Sequence, residues 1–148
     1  MSRSLMLIIG LALAGALGLL VLMAGDRGAP EVVSGEGIAF TSPFRYDVPG
    51  DDARDLNDEV ITIANRGAQA VDMTGWSLRS DTSLVYRFPR GFVLEPGARV
   101  SVHSGCGRDS REALYWCSMR PVWDDDEGEA TLLRPNGSKA AVYPYKRF

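Results

Sequence analysis

Residues 5–24 form one unbroken, uncharged apolar run, and beyond it the hydrophobic pattern changes character. Short apolar segments alternate with polar positions at period two, and no helical period returns. As a helix rising about 1.5 Å per residue, the apolar run would extend roughly 30 Å, enough to cross a bilayer. The later segments predict strands. Ile38 and Phe40 alternate in the first; Ile61 and Ile63 face a core from the second, with Thr62 outward and a turn at Asn65, Arg66 and Gly67. Trp76 and Leu78 follow, then Leu84, Tyr86 and Phe88 in a strand that stops at Pro89, because proline cannot donate to a ladder. Glu95, Pro96, Gly97 and Ala98 fit a type II turn that delivers the chain into a strand over residues 100–103. The last pair, residues 130–133 and 140–143, is joined as a hairpin through Pro135, Asn136, Gly137 and Ser138.

This pattern divides the chain into a signal anchor or uncleaved transmembrane helix over residues 1–25, a linker over 26–35 and an all-β domain over 36–148. Bulky Leu22 stands three positions before any cut after Ala24, a poor cleavage site, so the segment reads as an uncleaved anchor. No cysteine follows the run, which excludes a lipoprotein anchor. Arg3 and the amino terminus are positive on one flank, while Asp26, Arg27 and Glu31 are net negative on the other, so the short tail is expected in the cytoplasm and the domain outside. Cleavage would make the domain secreted, and extracytoplasmic all the same. Gly10, Ala14 and Gly18 recur every four residues, a spacing that would permit a weak homodimer of membrane helices.

A series of landmarks runs along the domain in a set order: Pro49-Gly50-Asp51-Asp52, Asn57-Asp58-Glu59, Gly75-Trp76, Phe88-Pro89, Glu95-Pro96-Gly97, and Tyr115-Trp116 through Pro121-Val122-Trp123. Together they resemble the lamin tail domain family, prokaryotic extracytoplasmic type. The resemblance covers about residue 36 to the end. It implies an immunoglobulin-like β-sandwich with Trp76 buried after Gly75, and it implies a scaffold that hosts many roles. Where many members carry an Asn-rich turn after the final Trp, this chain has Asp124-Asp125-Asp126-Glu127-Gly128. The Cys-Trp-Cys order of antibody domains is absent, since Trp76 precedes both cysteines.

Beyond Arg3 the chain has 15 basic against 19 acidic residues, a net charge of −4, and its basic residues are scattered, which argues against nonspecific nucleic-acid binding. Cys106 and Cys117 are the only cysteines, and an even pair in an exported domain predicts a disulfide rather than zinc or a redox pair. The bridge would close a loop of about a dozen residues and contribute about 3 kcal/mol. It would pin residues 107–116, an otherwise polar, glycine-flanked segment expected to be mobile.

Ser101, His103 and Asp109 bring a nucleophile, a base and a carboxylate into one window, yet the chain has neither a nucleophile elbow nor a glycine-rich oxyanion loop. Asp51, Asp52, Asp55, Asp58, Glu59 and Asp124 to Glu127 are oxygen donors in number, but their spacing builds no known calcium loop, and they read as solvated turn residues. No catalytic residue, cofactor or metal ligand is assigned. Among the aromatics, Trp116 and Trp123 flank the cystine segment and are the residues expected to be partly exposed and to contact a partner. The expected role is that of a noncatalytic, membrane-tethered binding or scaffold domain that positions a protein or cell-envelope component. An alternative is an accessory module assisting a secreted hydrolase on polysaccharide or nucleic acid, and a stand-alone hydrolase is the weakest reading.

Overall fold

The computed structural model describes residues 31–32, 37–47 and 55–147. Eleven strands lie within these residues: β1 Glu31–Val32, β2 Ile38–Arg45, β3 Val60–Asn65, β4 Val71–Asp72, β5 Ser77–Arg79, β6 Val85–Arg87, β7 Val93–Leu94, β8 Arg99–His103, β9 Ala113–Tyr115, β10 Glu127–Leu133 and β11 Lys139–Lys146. They form a five-stranded sheet in the order β1-β11-β10-β5-β6, a four-stranded sheet in the order β2-β3-β8-β9, and a two-stranded pair β4-β7. All pairings are antiparallel except β8 with β9, which run parallel. The protein is an all-β sandwich of the immunoglobulin-like kind. The expected anchor, residues 1–25 with Gly10, Ala14 and Gly18, lies outside the described residues. Glu31 and Val32, inside the segment read as linker, pair with Val142 and Ala141 of β11.

The period-two pattern fills the space between the two larger sheets. Ile38, Phe40, Ile61, Ile63, Val100 and Val102 from one sheet meet Leu78, Tyr86, Leu132 and Ala141 from the other in a single buried cluster. At about 25 cal/mol per Å² of apolar surface removed from water, such side chains supply the main driving force for the fold. Thr62 does lie on the opposite side of β3 from Ile61 and Ile63, but it is not solvated. It is buried together with Val60 and Ala64, and its Oγ1 lies 2.9 Å from Ser101 Oγ. The outward alternation of a central strand flanked on both sides does not guarantee exposure.

Turn chemistry explains the landmark at Gly75-Trp76. Trp76 N–H donates to the Met73 carbonyl at 3.0 Å, and Gly75 sits at φ +80°, a left-handed conformation that side chains with a Cβ resist. Asp72 Oδ1 accepts from both Thr74 N–H and Thr74 Oγ1 within the turn, and Thr74 Oγ1 accepts from Gly91 N–H, which ties the turn to the segment before β7. It delivers Trp76 into the core with the Arg134 guanidinium 5.7 Å above its ring. The turns read from sequence also form: Ala98 N–H donates to Glu95 O at 3.0 Å, and Gly137 N–H donates to Arg134 O at 2.9 Å in the β10–β11 hairpin. Asn65 ends β3 as a buried junction, its Nδ2 donating to the Gln69 and Leu94 carbonyls and its Oδ1 accepting from Gly67 N–H.

Exposed sheet edges invite pairing with other chains, and two edges here are blunted. In β2, Pro43 follows a cis peptide bond from Ser42 and interrupts the pairing with β3 between Thr41 and Phe44. In β9, part of the segment expected to be mobile, the outer edge is satisfied by the preceding loop. Ala113 N–H donates to Ser110 Oγ at 3.0 Å, Ser110 N–H to the Ala113 carbonyl at 2.7 Å, and Tyr115 N–H to Asp109 Oδ1 at 3.0 Å.

Candidate functional site

At one end of the sandwich, the Asn57-Asp58-Glu59 step before β3 is joined to a stretch distant in sequence, the cystine loop around β9 together with residues 118–123 that follow it. Glu59 has the same parity along β3 as Ile61 and Ile63, so its side chain points inward, where it is 2% exposed. Its Oε2 accepts from Val122 N–H at 3.0 Å and its Oε1 from Trp123 N–H at 2.9 Å. A buried carboxylate persists when such donors satisfy it. Glu59 is therefore not the solvated turn residue, or open calcium donor, that its acidic neighbourhood suggested. It joins β3 to a chain segment more than sixty positions away. The parity of the alternation carried this information, and the run of neighbouring acids obscured it.

The cystine loop docks on the same step. Gly105 N–H donates to the Leu56 carbonyl at 3.0 Å, and Asn57 Nδ2 donates to the Cys106 carbonyl at 3.1 Å. A Cβ at Gly105 would strike the Asn57 side chain, so only glycine allows this approach. Cys106 and Cys117 form a disulfide, as the sequence predicts, and backbone bonds continue past it: Cys117 N–H to Gly105 O at 2.9 Å and Ser118 N–H to Ser104 O at 2.8 Å. Between these walls lies an open groove of about 420 Å³. Asp55, Leu56, Asn57 and Asp58 form one side of it; Gly105, Cys106, Ser118 and Met119 form the other.

Of the two tryptophans singled out from sequence, Trp116 is partly exposed as expected and Trp123 is placed differently. Trp123 is 3% exposed and belongs to the core, so the expectation that it is partly exposed and meets a partner is corrected. Its ring packs edge-on against Phe44 at 5.3 Å and Trp116 at 6.1 Å, and the two amides at residues 122 and 123 are held inward by Glu59. Trp116 is half-buried against the core, 5.6 Å from the Tyr86 ring. These contacts extend through Tyr145 and Tyr46 on one side and Phe88 and Phe92 on the other, which makes the aromatics a seam within the sandwich. Sequence gave no sign of Met119, which projects from a polar window.

Ser101, His103 and Asp109 are each engaged elsewhere. Ser101 Oγ contacts Thr62 Oγ1, His103 Nδ1 donates to the Asn57 carbonyl at 2.7 Å while its ring stacks on Tyr115 at 5.0 Å, and Asp109 accepts from Tyr115 N–H. Their strand register does not bring them together as nucleophile, base and orienting acid. Among the described residues, no group of three or more His, Cys, Asp or Glu is placed to hold a metal ion. Asp124 Oδ1 instead accepts from Asp126 and Glu127 N–H in a local turn, while Asp51 and Asp52 lie outside the described residues. Burial raises the phenol pKa of Tyr145 well above the ordinary range, with Asp81 adding to it; burial raises that of Tyr86 too, with Asp109 adding.

Comparison with known proteins adds one family. The model of the Lamin Tail Domain matches residues 44–147. None of the curated proteins compared with the chain matches it.

Proposed function

Because the chain belongs to the lamin tail domain family, whose sandwich is a scaffold rather than a catalytic device, we propose that it is a noncatalytic, extracytoplasmic binding domain that positions a protein or cell-envelope partner. Residues 1–25 would tether it to the membrane, a reading supported by the apolar length of residues 5–24 and the charges on either side. The observation that carries the proposal is the Cys106–Cys117 disulfide bordering an open groove. A structural disulfide suits an oxidising compartment, and here it stiffens an end of the domain that offers a concave surface. Acidic excess disfavours a phosphate backbone as the partner.

Two measurements on the intact protein in its own cells test the proposal. Protease added to whole cells should digest the domain, and crosslinking followed by pull-down should recover a discrete partner at the outer membrane face. A domain shielded from protease and carrying two free thiols would contradict the location. Crosslinks that recover a secreted hydrolase would replace the scaffold role with the accessory one.

A further inference from the structure

Among the described residues, Val85, Val93 and Met119 are the large apolar side chains left in water, and Met119 is exposed far more than the others, at 93%. On a loose loop this would mean little. Met119, however, is held on both sides. Ser118 N–H donates to Ser104 O, Ser118 Oγ donates to the Arg120 carbonyl at 2.6 Å, Cys117 is bridged to Cys106, and Val122 N–H is held by Glu59. The fold thus holds the backbone at Met119 in place on the wall of the groove, with the thioether in solvent. Across from it stand Asp55 and Asp58, and among the described residues no basic side chain lines the groove.

We infer that this groove docks an extended cationic peptide segment of a partner protein, with Lys or Arg against Asp55 and Asp58 and an apolar side chain against Met119. The inference rests on the binding role proposed above and specifies the partner's chemistry. Methionine is unbranched and polarisable, so it packs against varied apolar shapes, and it recurs on peptide-binding surfaces for that reason. Two carboxylates on one wall complement a basic segment and speed its encounter. The same carboxylates repel the phosphates of nucleic acid and the headgroups of an anionic leaflet. Among the described residues, no flat aromatic ring lines the groove for a sugar to stack on.

The probe is a short peptide of alternating lysine and valine, titrated against the full chain in neutral detergent while backbone amide shifts are recorded. Saturable shifts should centre on Gly105, Cys106 and Met119. Affinity should fall about tenfold in the double variant Asp55→Asn with Asp58→Asn, fall comparably in Met119→Ser, and weaken as salt rises. A peptide of alternating glutamate and valine should not bind. The inference is overturned if the lysine peptide fails to bind, if both variants bind it as the native chain does, or if phosphatidylglycerol vesicles perturb the same amides and the peptide does not. Should the crosslinking experiment still recover a partner whose contacts lie elsewhere, the binding role survives and this groove is excluded from it.

Discussion

The two ends of the sandwich are held together by different means. At the hairpin end, Trp76 lies in the core beneath Arg134, and the turns around it carry local bonds, Asp72 with Thr74, Met73 with Trp76 and Arg134 with Gly137, beside links from Thr74 to Gly91 and from Met73 to Phe92. At the cystine end the chain is poor in large apolar groups between residues 104 and 113, and contacts distant in sequence replace burial. A disulfide closes the cystine loop there, and the Asn57–Cys106 hydrogen bond and the paired bonds of Glu59 join that loop and residues 122–123 to the step before β3. A stable domain can thus keep one end rigid without filling it, and the space left unfilled is the groove. The difference predicts that substitutions of core aromatics act through lost packing at either end, and that at the cystine end further substitutions act through unsatisfied or unlinked backbone.

The largest expected effects come from the aromatics. Trp76→Ala and Trp123→Ala should each cost about 3–5 kcal/mol, since both remove a buried ring and leave a cavity. Denaturant midpoints at unchanged slope would check this. If Trp123→Ala cost less than about 1 kcal/mol, the aromatic seam would not reach the cystine end as described.

Next come the links specific to the cystine end. Glu59→Ala should cost about 3 kcal/mol, because two buried amides at residues 122 and 123 lose their acceptor and each unsatisfied group costs about 1–3 kcal/mol. Glu59→Gln keeps one acceptor and should cost less. Opening the disulfide by Cys106→Ser with Cys117→Ser should remove about 3 kcal/mol while leaving the far-ultraviolet spectrum of the sandwich intact. Equal losses at both ends of the domain, read by exchange of individual amides, would mean that the bridge acts globally rather than locally.

The smallest effect is one of pH. Tyr145 and Tyr86 have folded pKa values raised above the ordinary 10.0, so the neutral phenol is favoured in the fold. Their contribution to stability is fully present below pH 10.0 and is lost as pH rises through the raised values, because the unfolded chain releases those protons first. Tyr145→Phe should therefore flatten the alkaline decline, as measured by thermal midpoints across that range.

Alternation and turn residues made most of the sandwich legible in sequence: β2, β3, β5, β6, β8 and the β10–β11 hairpin lie where Ile38, Ile61, Leu78, Tyr86, Val100 and the Asn136-Gly137 step predicted them. The oxidised pair Cys106 and Cys117 was legible from number and context. What escaped depends on contacts between distant segments. β9 joins β8 in parallel, a pairing that no local alternation announces over three residues. Trp123 reads like a surface aromatic until Phe44, Tyr145 and Trp116 close around it. The groove required Leu56 and Gly105 to be brought together across nearly fifty positions.

The central claim is that Glu59 fixes the cystine end to the core, so that the groove beside it is rigid. Native-state hydrogen exchange at the Val122 and Trp123 amides tests it most directly. Both should exchange only through global unfolding in the native chain, with protection as high as that of central β3 amides, and should shift to faster local opening in Glu59→Ala. Exchange of these two amides in the native chain as fast as at the exposed Met119 would contradict the account.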